Sequence, residues 1–84
     1  MQSAYYVANK FDKLYQTVFN PDNSIKPCGR DATRKLIKFA NYYFSKNGVA
    51  DSYGNEETGY IYVDDMIRLH DKLMRGDGNG SSTK

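Results

Sequence analysis

The fold is decided by residues 30–48, which read RDATRKLIKFANYYFSKNG. Apolar side chains recur there at the spacing of one helical face, namely Ala32, Leu36, Phe39, Ala40 and Tyr43, with Ile37 and Phe44 widening the stripe. Gly48 is the residue type that most often ends a helix. The pattern therefore predicts a helix that begins at Gly29 or Asp31, ends near Asn47 and buries one side.

The opposite side of this helix is basic. Its residues follow one another at i, i+4, i+8, i+11 and i+15, and they are Arg30, Arg34, Lys38, Asn41 and Ser45, with Lys35 and Lys46 beside them. Five cations face one anion, Asp31, so residues 30–46 carry a net charge of +4. The sequence predicts a row of cations exposed to water on one face.

An acidic segment follows directly. Residues 51–65 contain no cation, and their five carboxylates are Asp51, Glu56, Glu57, Asp64 and Asp65. Opposite charges on neighbouring segments are typical of a surface that a partner recognises, or of charges that pair within one molecule. Both alternatives are open at this point.

Two further helices flank these segments. Residues 4–19 repeat apolar side chains at helical spacing, with Ser3 as a plausible N-cap. Four side chains of this helix are expected to face water, namely Tyr5, Asn9, Asp12 and Gln16. Near the end of the chain, Asp64 is expected to cap a third helix that reaches about Arg75.

Residues 60–63, Tyr-Ile-Tyr-Val, alternate β-branched and aromatic side chains in the way a strand does. A single strand is not stable alone, so we expect it to pair with residues 49–53 or with a stub at Ile25. Gly54-Asn55 and Thr58-Gly59 are the candidate turns.

The predicted fold class is therefore mainly α, a three-helix domain with a short β-hairpin or strand between helices 2 and 3. Residues 1–75 are expected to form a single small helical domain and residues 76–84 a flexible C-terminal tail. The predicted core consists of Val7, Phe11, Leu14, Val18, Leu36, Phe39, Ala40, Tyr43, Ile61, Met66, Leu69 and Leu73.

Composition points to a cytoplasmic protein. Cys28 is the single cysteine among 84 residues, which suits a reducing compartment. No apolar run approaches the roughly 20 residues that span a bilayer, and the first residues lack the features of a secretory signal. The small size and the high content of asparagine, tyrosine and lysine suggest a phage or mobile-element accessory protein.

Two segments resemble motifs of known chemistry, and each departs from its motif at a critical position. The spacing of Cys28 and Arg34 resembles the phosphate loop of cysteine phosphatases, but Asp31 would place a negative charge inside the anion cradle. Residues 51–65 resemble a calcium-binding loop, but placing Gly59 at its sixth position puts a glycine where the first aspartate is needed. His70 has no second metal ligand nearby and is expected to be a partly buried side chain.

The function predicted from these observations is that of a small non-catalytic protein-binding or regulatory module, without cofactor, metal or small-molecule substrate and without membrane contact. Its partner is expected to be another protein or a second copy of the chain, because tyrosine is favoured at interfaces and the chain has eight tyrosines. The expected binding residues are Arg30, Arg34, Lys35, Lys38, Asn41 and Tyr42, with Asp51, Glu56 and Glu57 as the acidic interaction segment.

DNA or RNA binding by the basic face of the second helix is the alternative function. Its cations would meet phosphates, Asn41 would read a base edge and Tyr42 would stack on a base. The third helix would add Arg68, Lys72 and Arg75 to the same surface.

Overall fold

The computed structural model describes residues 4–46 and 52–75, with side chains from Tyr6 onward. Its elements in chain order are α1 (Ala4–Val18), α2 (Arg30–Lys46), β1 (Gly54–Asn55), β2 (Tyr60–Ile61) and α3 (Val63–Met74). The predicted fold class is confirmed: the protein is mainly α, with a two-stranded antiparallel sheet between α2 and α3. The predicted cap at Ser3 and the predicted tail at residues 76–84 lie outside the described residues.

A tight loop follows α1. Asn23 adopts a left-handed φ of 70°, and the Ser24 hydroxyl and amide both donate to the Asp22 carboxylate. These hydrogen bonds lower the pKa of Asp22. The reversal brings Ile25 into an antiparallel bridge with Phe19, so Ile25 does not pair with residues 60–63 as one alternative had it.

The hairpin between α2 and α3 has a different register from the one predicted. Gly54 pairs with Ile61 and Asn55 with Tyr60, so Gly54-Asn55 forms a strand and its prediction as a turn is wrong. The reversal starts after Asn55 because its side-chain Oδ1 accepts the amides of Glu57 and Thr58, at 2.9 and 3.1 Å. Gly59 closes the turn with a φ of 77°, a conformation that favours glycine.

α3 begins one residue before the predicted cap. Tyr62 occupies the N-cap position and forms no side-chain capping bond. Asp64 and Asp65 lie in the first turn instead, where carboxylates interact favourably with the positive end of the helix dipole. Of the helices described, none has both the length and the apolar composition that a bilayer crossing requires.

The core joins all three helices and the hairpin. Its buried members are Val7, Phe11, Tyr15, Val18, Phe19, Leu36, Ile37, Ala40, Phe44, Tyr53, Ile61, Met66 and Leu69. Four residues predicted as core are only partly buried, namely Leu14, Phe39, Tyr43 and Leu73. The hairpin explains part of this difference. It packs against α2 on the side of Ile37, which is therefore buried although the predicted core did not include it.

Candidate functional site

The hairpin lies along one edge of α2, and this edge carries three of the five residues of the predicted basic row, Arg30, Arg34 and Asn41. The Arg34 Nε donates to the carbonyl oxygen of Glu56 at 2.9 Å. At the turn, a Cβ on Gly59 would lie 2.9 Å from the Thr33 Oγ1 and 3.0 Å from the Arg30 Cγ, so the turn packs closely against side chains of α2. Arg30 and Arg34 therefore border the hairpin and are not part of a fully open row.

The Asn41 side chain also binds the hairpin. Its Nδ2 donates to the Gly54 carbonyl at 3.1 Å, and its Oδ1 accepts the backbone amide of Tyr53 at 2.8 Å. The expectation that Asn41 is free to read a base edge is wrong, because both ends of its amide hold the hairpin. The sequence could not show this, since the partner strand lies 12 or 13 residues away.

Replacing Asn41 with leucine is expected to destabilise the fold. Tyr53 is only 2% exposed, so its amide would lose its hydrogen bond in a dry environment, at a free-energy cost of about 1–3 kcal/mol. Urea unfolding followed by far-UV circular dichroism measures the change. Asn9→Leu, at an exposed position of α1, is the matched control and should stay within about 0.5 kcal/mol. Equal stabilities of the two variants would contradict the role assigned to Asn41.

The open face of α2 lies beyond this edge. It consists of exposed residues at i, i+3, i+7 and i+11, which are Lys35, Lys38, Tyr42 and Lys46. We call these four residues the lysine–tyrosine face. The Tyr42 side chain is 63% exposed, and the Lys46 Nζ lies 5.4 Å from its ring centroid. Within residues 6–46 and 52–75, none of the three lysines forms an ion pair with a carboxylate.

A further cation reaches the border of this face from α1. The Lys10 Nζ lies 5.7 Å from the ring centroid of Phe39, and Phe39 follows Lys35 by one helical turn. Lys10 thus adds positive charge beside the lysine–tyrosine face. Sequence reasoning missed it because only the packing of α1 against α2 brings the two residues together.

The hairpin presents a second, acidic surface. Glu56 and Glu57 are exposed at the turn. Tyr60 and Tyr62 are 67% and 41% exposed, and their ring centroids lie 5.9 Å apart in an edge-to-face arrangement. We call these four residues the acidic hairpin face. Asp51, the other predicted acidic residue, lies outside the described residues.

Two of the three cations predicted on α3 are paired with carboxylates. The Arg68 Nη2 lies 2.7 Å from the Asp65 Oδ1, and the Arg75 Nε lies 3.2 Å from the Asp71 Oδ2. Both arginines are therefore paired with carboxylates of their own helix. These local i,i+3 and i,i+4 pairs offset the charge of Arg68 and Arg75, while Lys72 is exposed and forms no ion pair with a described residue. A continuous basic surface across the second and third helices stays a prediction.

A hydrogen bond between α1 and α3 was not expected from the sequence. The His70 Nε2 lies 2.7 Å from the Asp12 Oδ1. Asp12 was predicted to face water but is partly buried, whereas His70 is partly buried as expected. The Tyr15 ring stacks on His70 with centroids 3.7 Å apart. Burial, with a smaller effect of Asp12, raises the pKa of Tyr15, and the Tyr15 hydroxyl donates to the Asn23 Oδ1 at 2.7 Å.

Tyr15, Asn23 and His70 border an open groove of about 480 Å³. The side chains described along it include no serine, threonine or cysteine that His70 could activate as a nucleophile. Asp12 and His70 are 58 positions apart, so their contact joins two distant helices. We assign them a structural role.

The phosphate-loop and calcium-loop alternatives gain no support from the geometry. Arg34 is directed to the hairpin, and Cys28 packs against the edge of the core. Glu56 to Gly59 form the hairpin turn. In the part of the chain that the structure describes, no group of three or more His, Cys, Asp or Glu side chains could hold a metal ion.

Comparisons of this chain with protein-family models, with curated proteins and with solved structures found no match.

Proposed function

We propose that this protein is a non-catalytic protein-binding module that docks on an acidic protein surface through its lysine–tyrosine face. The observation that carries the proposal is the exposure of Tyr42 among three lysines that form no ion pair within the described residues. Tyrosine contributes large contact area at interfaces, and tyrosines near an interface centre are frequent hot spots. The lysines would speed association with an acidic partner and fix its orientation.

The rest of the structure supports a protein partner over a nucleic acid. Glu56 and Glu57 are exposed beside the basic helix, where they would repel the phosphates of a duplex lying across that helix. Asn41 is engaged by the hairpin, and Arg68 and Arg75 are paired within α3. The single Cys28 supports a reducing, cytoplasmic site of action.

Capture from a lysate of the producing cells, with and without nuclease, tests the proposal. Tyr42→Ala and Lys38→Glu should each reduce recovery of the bound protein by about tenfold or more, because each removes a central contact or reverses a complementary charge. Lys72→Glu is the matched control: it makes the same charge change at an exposed position of α3 and should leave recovery unchanged. Recovery that is insensitive to both α2 variants would refute the proposed face.

Binding to DNA or RNA is the second candidate function, favoured by the three lysines on one helical face beside an exposed aromatic ring. It predicts that nuclease abolishes the capture. It also predicts a gel shift that weakens steeply between about 50 and 200 mM salt and is lost in Lys38→Glu. Absence of a shift at low salt would remove this candidate.

A further inference from the structure

We infer that the acidic surface recognised by the lysine–tyrosine face is the acidic hairpin face of a second copy of this chain. The inference rests on the proposed function and names its partner. In the resulting symmetric dimer, the lysine–tyrosine face of each protomer contacts Glu56, Glu57, Tyr60 and Tyr62 of the other.

The position of the hairpin supports this arrangement. Arg34 and Asn41 hold the hairpin along one edge of α2, and Lys38 is one helical turn from both of them. The basic and acidic faces therefore lie side by side. A two-fold interface uses the same surface on both subunits, so that surface must complement itself. Neighbouring faces of opposite charge meet this condition, since a two-fold rotation places each one opposite its complement.

The side chains of both faces are available for such a contact. Among the residues that the structure describes, neither Glu56 nor Glu57 forms an ion pair with α2. Each face also presents tyrosine rings, Tyr42 on one and Tyr60 with Tyr62 on the other, all more than 40% exposed. Small specific interfaces bury about 600 Å² per partner, which is roughly a tenth of the 5600 Å² accessible surface of the chain.

A charge-swap experiment tests the dimer by sedimentation equilibrium. Lys38→Glu and Glu57→Lys both change exposed side chains that make no described contact within the fold. The two-fold axis doubles every contact, so a tenfold loss at each site weakens dimerisation by about a hundredfold in either variant. An equimolar mixture should form a heterodimer, because one of its two contacts then carries the wild-type charges and the other carries both reversed charges, so that both contacts are complementary. The chain carrying both substitutions should dimerise like the wild type.

Lys72→Glu controls for net charge and should dimerise normally, and circular dichroism should show that every variant is folded. A wild-type chain that stays monomeric at low salt overturns the inference, and so does a mixture that fails to reassociate. Failure of the proposed function has a different signature. If lysate capture still depends on Lys38 while the wild type is monomeric, the face binds a foreign protein and only the dimer is wrong. If neither lysate capture nor dimerisation depends on Lys38, both proposals fail.

Discussion

Replacing Phe11 with alanine is expected to leave a large part of the protein unfolded. The Phe11 side chain is fully buried, and its ring centroid lies 6.1 Å from that of Phe39 and 5.7 Å from that of Phe44. It also lies 6.0 Å from the His70 ring, so one side chain connects all three helices. Truncating a buried phenylalanine lowers the free energy of unfolding by about 3–5 kcal/mol.

A loss of this size is comparable with the whole stability of a small domain, whose unfolding free energy lies near the lower end of the usual 5–15 kcal/mol. Urea unfolding monitored by circular dichroism measures it. Tyr42→Ala is the control on the surface, and we expect it to change stability by less than about 1 kcal/mol because it loses only an exposed cation–π contact. A cooperative transition of Phe11→Ala at the wild-type urea midpoint would contradict this account of the core.

Gly54→Ala is expected to force the hairpin away from α2. A Cβ on Gly54 would lie 2.7 Å from the Tyr60 carbonyl oxygen and 2.8 Å from the Ile37 Cγ1. The first neighbour is backbone of the paired strand and the second belongs to a fully buried side chain, so neither can move away freely. Overpacking of this kind destabilises a protein by about 1–3 kcal/mol.

Gly29→Ala provides the matched comparison, because a Cβ on Gly29 would meet no atom within 4 Å. The lost freedom of the unfolded chain favours alanine there, while the position directly before α2 favours glycine over alanine, so stability should change by less than about 1 kcal/mol. The two variants are compared by urea unfolding, and amide hydrogen exchange of Tyr53 and Tyr62 reports on the hairpin itself. Equal stability of both alanine variants would show that the fold does not require the close approach of Gly54 to Tyr60 and Ile37.

The helices could be predicted from the sequence because their signals are local. The 3.6-residue spacing of apolar side chains located α1 and α2 to within about a residue at each described end, apart from the caps. Partial burial of His70 also followed from its place at the border of an apolar face. The composition of residues 60–63 indicated a strand, but two of those positions belong to the helix and its cap. The local pattern could not show where strand β2 ends and helix α3 begins.

The surface could be predicted only in part, because contacts between distant segments decide which side chains are open. A helical repeat alone assigned Arg34, Lys38 and Asn41 to one row. The hairpin then occupies Arg34 and Asn41 and leaves Lys38 exposed. Asp12 was assigned to water for the same reason, since nothing near it in sequence indicates His70. The predicted site contains two uncharged residues, Asn41 and Tyr42, and of these only Tyr42 lies on the open face.

Site-specific photo-cross-linking from position 42 of α2 shows whether the lysine–tyrosine face contacts a protein. A photoreactive aromatic amino acid takes the place of Tyr42 in the producing cells, and the same group at the exposed position of Lys72 serves as control. We predict an adduct from position 42 that survives nuclease and is destroyed by protease, with twice the 9.6 kDa mass of the chain if the partner is a second copy. No protein adduct from position 42, or an equal yield from position 72, would contradict the claim.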